Sequence, residues 1–292
     1  METKKDSRAD HLSQPWIDFL DKELESYYPE HGQYRIYKTL KDLLSSATEL
    51  SLAAAAQQID ICYQETLDPL LKRAEDKGFA GFLNSLYESI SDAAIVIPYN
   101  HPLQDVLIEF IAEIRKLPAR EAKIWDEDSI VYAREPIFLS VIEDNWNGYF
   151  PVEYKNSGPN IPSYETRCTE WVNFSAFLAR CIQAGLNDNY ELGTRYPSID
   201  IPKGLEEEHI PGVGRSCFVR VATQYILLAG PKLCKAWLED DLGEQKRWAT
   251  DKWKVWAEKL DQFADNEDLD ADLRVEAREA HEKMVYLRPD LF

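Results

Sequence analysis

The sequence predicts an all-α protein, an irregular multi-helix domain with little or no sheet. Apolar residues recur at three- and four-residue spacing in one segment after another. No segment alternates apolar and polar residues long enough to demand a sheet, and no period between 20 and 50 residues repeats, which sets the chain apart from regular helical solenoids.

Residues 1–14 are expected to form a disordered polar tail, and residues 15–292 a single helical domain in which 15–98 is a candidate semi-independent layer. From Pro15 the pattern turns helical, with Trp16, Phe19, Leu20, Leu24 and Tyr27 on one stripe that ends before Pro29. A second helix is expected from about Tyr34 to Leu44. A third is expected within LSLAAAAQQIDICYQETLDPLL, whose alanines favour helix and close approach of a neighbour. FAGFLNSLYESISDAA reads as the next helix, IVIPYNHP as extended, and LQDVLIEFIAEIRKLP as a further helix with Val106, Phe110, Ile111 and Ile114 on one side. Pro102 stands at its start, where a missing N–H is harmless.

The middle is less regular. Trp125 to Asp128 reads as a loop, REPIFLSVIEDNWNG as a short helix, and YFPVEYKNSGPNIPSYE as a proline-rich linker. The helix TEWVNFSAFLARC follows. Asn187 to Val213 mixes Gly, Pro and acidic residues, and only Gly204 to His209 suggests a short helix. RSCFVRVATQYILLAGPKLCKAWLED is expected to be helical with a kink or break at Gly230-Pro231, because a proline inside a helix costs about 3 kcal/mol. WATDKWKVWAEKLDQFADN places Trp253, Trp256, Leu260 and Phe263 on one stripe, and DADLRVEAREAHEKMVYL is a final amphipathic helix with an Asp or Asn cap.

Composition narrows the function classes. Of 292 residues 45% are hydrophobic and 12% aromatic, ample for a core and incompatible with general disorder. Fifty-two acidic against 33 basic side chains give a formal charge of -19, a field that repels nucleic-acid phosphates and anionic headgroups. Neither a nucleic-acid nor a membrane partner is expected. The N-terminal stretch lacks the apolar core of a signal peptide and no run approaches a membrane span, so a cytoplasmic or nuclear location is expected. Five widely spaced cysteines, an odd number, are expected to be free buried thiols.

The motifs of dinucleotide, phosphate-loop, zinc-protease and serine-hydrolase chemistry are missing, and no C-x-x-C pair occurs. The five histidines have no second metal ligand at helical spacing, and the acidic runs LEEEH and NEDLDAD lack the pattern of a calcium loop. No metal and no cofactor are expected. His101 reads best as a loop residue capping the next helix. Trp248, Trp253 and Trp256 read as core in preference to a stacking platform for a planar ligand.

One polar stripe stands out. Glu170, Asn173, Phe177 and Arg180 follow at three, four and three in an otherwise apolar helix, with Arg167 a turn earlier, while Trp171, Phe174, Leu178 and Ile182 form a separate apolar stripe. Arg220 and Gln224, four apart in a second apolar segment, pose the same question. A buried guanidinium requires a carboxylate, helix carbonyls or a ligand. Two such helices either line a polar pocket or lock each other in a satisfied network.

The pattern E-W-x-N-x-x-x-F-x-A-R from Glu170 to Arg180, with ATQYILLAG (Ala222 to Gly230), HPLQ (His101 to Gln104) and the Trp253/Trp256 segment, resembles the fungal (ascomycete) domain-of-unknown-function family numbered 3632. The resemblance runs over about residues 101–287. It implies an ascomycete origin and a soluble helical protein, and carries no mechanism. One departure is Tyr225, where the resemblance leads one to expect a tryptophan.

Two functions remain open. The favoured one is a non-catalytic helical module that binds another protein or copies of itself. The alternative is a cofactor-independent isomerase or cyclase acting on an apolar metabolite in an aromatic pocket. There Arg180 and Arg220 orient a carbonyl or carboxylate, Asn173 and Gln224 donate hydrogen bonds, Trp171 and Tyr225 line the site, and Glu170 carries the proton.

Overall fold

A computed structural model describes residues 14–45, 50–66, 70, 73–151, 162–186, 190–239 and 244–292. Among these residues eleven α-helices and one hairpin follow in the order α1 (Pro15–Glu25), α2 (Gly32–Leu44), α3 (Leu52–Thr66), α4 (Phe79–Val96), α5 (Leu103–Ile114), β1 (Arg120–Ile124), β2 (Glu127–Val131), α6 (Ile137–Tyr149), α7 (Tyr164–Ala184), α8 (Tyr190–Leu205), α9 (Val213–Cys234), α10 (Glu244–Ala264) and α11 (Ala271–Leu287). The all-α class holds. Of the expected tail, residues 1–13 lie outside the described residues, as do residues 152–161 of the proline-rich linker.

Helix α7 is the centre of the fold, and its ends obey local rules. Ser163 Oγ accepts from Thr166 N at 3.1 Å, and Gly185, at φ +69°, turns the chain out of the helix, as an αL glycine does. Between those caps twelve residues are buried, Trp171, Phe174, Phe177 and Leu178 among them. Helix α9 runs parallel to α7: Tyr164 lies against Gly214, and Cys217 Sγ donates to Cys168 O at 3.4 Å. Helix α8 returns antiparallel to α9. A Cβ on its Gly204 would lie 2.2 Å from Phe218 O, so only glycine permits this approach. On another side of α9 lies α11, antiparallel to α10; Trp253 Nε1 of α10 donates to Met284 O of α11 at 3.2 Å.

Three expectations are corrected. The first concerns Arg120 to Val131, which forms an antiparallel hairpin with Ile124 paired to Glu127. Trp125 and Asp126 (φ +51° and +65°) are its two-residue turn, while Glu127 and Asp128 belong to β2. Burial alternates along both strands, but each is five residues long and the turn lacks the Asn-Gly signal of such hairpins. The second concerns Asn187 to Val213, much of which is the regular helix α8. Its buried stripe of Tyr196, Asp200, Ile201 and Leu205 and its seat on α9 outweigh Pro197 and Pro202.

Lastly, of the kink or break expected at Gly230-Pro231 the break does not occur, since α9 runs on as helix to Cys234. Proline at 231 removes the hydrogen bond to the carbonyl of Leu227, and that carbonyl instead accepts from Lys283 Nζ of α11 at 2.5 Å. Here α11 passes close to Gly230, where a Cβ would stand 3.3 Å from Leu287 Cδ1. Beyond Cys234 the helix loosens into a π-type turn, Lys235–Glu239.

Candidate functional site

Asn173 sits at 4% exposure on the face of α7 that meets the α4–α5 turn. Its Oδ1 accepts from Tyr99 N at 2.9 Å and its Nδ2 donates to Ile95 O at 2.7 Å. The side chain therefore does for the end of α4 what a further helical turn would have done, satisfying a backbone donor and an acceptor left over where the helix stops. An amide suits this post because one short side chain offers both an acceptor and a donor.

Tyr99, held there, reaches the α9–α11 contact. Its hydroxyl donates a short hydrogen bond to Glu276 Oε1, and Glu276 Oε2 accepts from Arg220 Nε at 3.2 Å and from Gln224 Nε2 at 3.3 Å. Arg220 Nη2 also donates to Asp270 Oδ1 at 2.7 Å, the oxygen that caps α11 by accepting from Leu273 N. The guanidinium stands 5.7 Å from the centre of the Tyr99 ring, within cation–π range. Burial works against the Arg220 charge, but Tyr99, Glu276 and Asp270 more than offset it and its pKa moves up. Burial, followed by the carboxylate of Glu276, moves the Tyr99 hydroxyl up as well. Asn173, Arg220 and Gln224 are thus joined in one network that ties α4, α7, α9 and α11 together.

A cleft of about 380 Å³ opens beside this network, between the first halves of α7 and α9. Tyr99, Asn173, Arg220 and Asp270 form one part of its lining, and Cys168 and Cys217 another. The other expected site residues lie elsewhere. Arg180 turns away to Asp105 of α5 (Nε to Oδ1, 2.8 Å) and to Ala176 O of its own helix at 3.3 Å. Glu170 is half-buried; burial raises its pKa, and Arg167 works in the opposite direction. Trp171 packs on Trp146 and Phe150 at 6.0 and 5.4 Å between ring centres. Tyr225 donates its hydroxyl to Asp200 Oδ2 at 3.1 Å in the core; a tryptophan there would offer an indole N–H and no hydroxyl. His101 Nδ1 accepts from Leu103 N at 3.2 Å at the start of α5.

Several residues of the site were not picked out by sequence reasoning. Cys217 and Arg220 stand three apart on one face of α9, and Thr169 and Asn173 four apart on α7, which was a usable signal. Tyr99, Asp270 and Glu276 had none, since they join the cleft from distant parts of the chain. The hairpin tip was also missed. Trp125 is 59% exposed, whereas Trp16, Trp171, Trp237, Trp253 and Trp256 are buried and Trp146 is half-buried. Its turn is flanked by the exposed Asp126, Glu127 and Asp128, and Lys123 lies 3.7 Å from Asp126 and 3.9 Å from Glu75. Ile130, 41% exposed, lies on the same outer face of the hairpin.

Fold and site together define a helical scaffold with an internal polar clamp, a small thiol-bearing cleft and one projecting aromatic hairpin. The chain belongs to the family described as Protein of unknown function (DUF3632), which matches residues 87–260. That span takes in the hairpin, Cys168, Asn173, Arg180, Cys217, Arg220 and Gln224, and ends before Asp270 and Glu276. No curated protein and no solved structure matches the chain. No helix among the described residues is long and apolar enough to cross a membrane.

Proposed function

We propose that this protein is a non-catalytic helical scaffold that docks onto a basic segment of another protein through the tip of its β1–β2 hairpin. The observation that carries the reading is Trp125, a bulky side chain held at φ +51° and left in solvent. A non-glycine residue in that region costs on the order of 1 kcal/mol or more, and such strain persists where something besides stability keeps it. Tryptophan is the residue type most enriched among the anchors of protein interfaces. The acidic side chains Asp126, Glu127 and Asp128 around it favour a Lys- or Arg-rich partner, and with a net charge of -19 they disfavour a second copy of the same chain.

A cofactor-independent isomerase or cyclase is the second reading, favoured by the cleft beside Asn173 and Arg220. Against it, Glu170, the residue expected to move the proton, is not among the cleft's lining residues, and neither is Arg180. Both polar atoms of the Asn173 amide are already engaged. The scaffold reading accounts for the network without a ligand.

A photoreactive phenylalanine analogue in place of Trp125, introduced into the full chain in its native cell, tests the docking reading. Crosslinks to a Lys/Arg-rich segment of one protein are expected. They should be competed by wild-type protein and should fall when Asp126, Glu127 and Asp128 are replaced by their amides. Crosslinks to copies of the chain alone would replace docking by self-association. If the analogue captures no more at position 125 than at the exposed Val275 on α11, the reading fails.

A further inference from the structure

Cys168 and Cys217 are the two cysteines that line the cleft, and they meet across the α7–α9 contact. Cys217 Sγ donates to Cys168 O at 3.4 Å, which brings the two residues together across the helix contact. The parallel run of the helices places them at matching heights near the two N-terminal ends, with Tyr164 beside Gly214 one turn earlier. Each is almost fully buried by the protein, yet both contribute to the wall of a cavity large enough for small molecules. The other three cysteines, Cys62, Cys181 and Cys234, are buried away from this cleft.

We propose that Cys168 and Cys217 form a reversible dithiol–disulfide couple oxidised by hydrogen peroxide entering the cleft, with Cys168 as the attacking sulfur and Cys217 as the resolving one. The environments of the two thiols differ in the sense this assignment needs. The Cys217 thiol, then the Tyr164 hydroxyl and the Arg167 charge, hold the Cys168 pKa below that of an ordinary thiol against the effect of burial. The neighbouring Cys168 and burial push Cys217 up, so it keeps its proton.

In the first step the Cys168 thiolate attacks one peroxide oxygen. An S–O bond forms, the O–O bond breaks, the sulfur is oxidised by two electrons to a sulfenic acid, and the departing hydroxide takes a proton to leave as water. In the second step Cys217 attacks the Cys168 sulfur. The S–S bond forms as the S–O bond breaks, and the Cys217 proton leaves with the hydroxyl as a second water. One peroxide and two thiols thus give one disulfide and two waters. The product would pin α7 to α9 beside Arg220, and an external dithiol would restore both thiols.

Full-length protein treated with hydrogen peroxide, alkylated after unfolding and digested without reduction, tests this by mass spectrometry. A Cys168–Cys217 linked peptide is expected to dominate, to vanish with dithiothreitol, and to form roughly tenfold faster than oxidation at Cys62, Cys181 or Cys234. In Cys217→Ser the sulfenic acid should persist on Cys168 and be trapped by dimedone, while Cys168→Ser should show no such adduct on Cys217. If wild-type Cys168 and Cys217 remain free thiols while the other cysteines oxidise, or oxidise no faster than they do, the proposal is overturned. That result stands even if a variant fails to fold.

Discussion

Asp200 lies on α8 with only 2% of its surface exposed, and its Oδ2 accepts from Trp146 Nε1 at 3.0 Å and from Tyr225 Oη at 3.1 Å. Among the described residues its Oδ1 is buried without a hydrogen-bond partner. Burial pushes its pKa from 3.8 up to about 7; Trp146, Tyr225 and Lys203 pull the other way without prevailing. The native state therefore holds a proton on Asp200 that the unfolded chain has released between these two values. Stability linked to the group is full at the acid end of that window and is lost as pH rises through about 7. Asp200→Asn is expected to remove this slope. The difference between wild-type and variant unfolding free energies should change by on the order of 4 kcal/mol across the window, read by urea titrations at successive pH values. A difference independent of pH would mean that Asp200 is ionised in the fold throughout. Sequence reading had passed over this residue, because an Asp in a stretch rich in Gly, Pro and acids looks solvent-exposed until α8 is seen against α9.

At the scale of elements, Asn173 is the clearest case of a side chain doing backbone work. Asn173→Ala leaves Tyr99 N and Ile95 O without their partner at the α4–α5 turn, and at about 1–3 kcal/mol for each buried group the loss should reach roughly 2–6 kcal/mol in chemical denaturation. A loss near zero would show that water replaces the amide and that α7 and α4 are not tied there. The polar positions of α7 and α9 were legible in the sequence because an amide or guanidinium is conspicuous on an apolar helix. Their partners were not, because Tyr99 lies 74 residues before Asn173, and Glu276 lies 56 residues after Arg220. The same cause explains the unbroken α9. Its proline was visible in the sequence, but Lys283, which meets the carbonyl the proline frees, comes from another helix. The hairpin was hidden for a different reason, its two short strands being joined by Trp125 and Asp126 where a glycine or asparagine would have announced the turn.

Across the whole molecule the helical body and the hairpin divide the work. The helices of the body are bound by large buried aromatics, Trp171, Trp253 and Trp256 among them, and by the network through Tyr99, Glu276 and Arg220. The hairpin is anchored on its inner face by Ala122, Ile124, Ser129 and Val131, and turns Trp125 and three acidic side chains outward. Much of the helical order was readable from three- and four-residue spacing, whereas the exposed tip was not, since exposure is a property of the assembled chain. In the reading proposed above, Trp125 is kept in its strained turn for contact with a partner and not for the fold. The most direct test is the unfolding free energy of Trp125→Gly beside wild type. Glycine occupies a positive φ without strain, so a gain of about 1 kcal/mol is predicted. A loss of stability would show that the indole supports the hairpin itself, and would contradict the account.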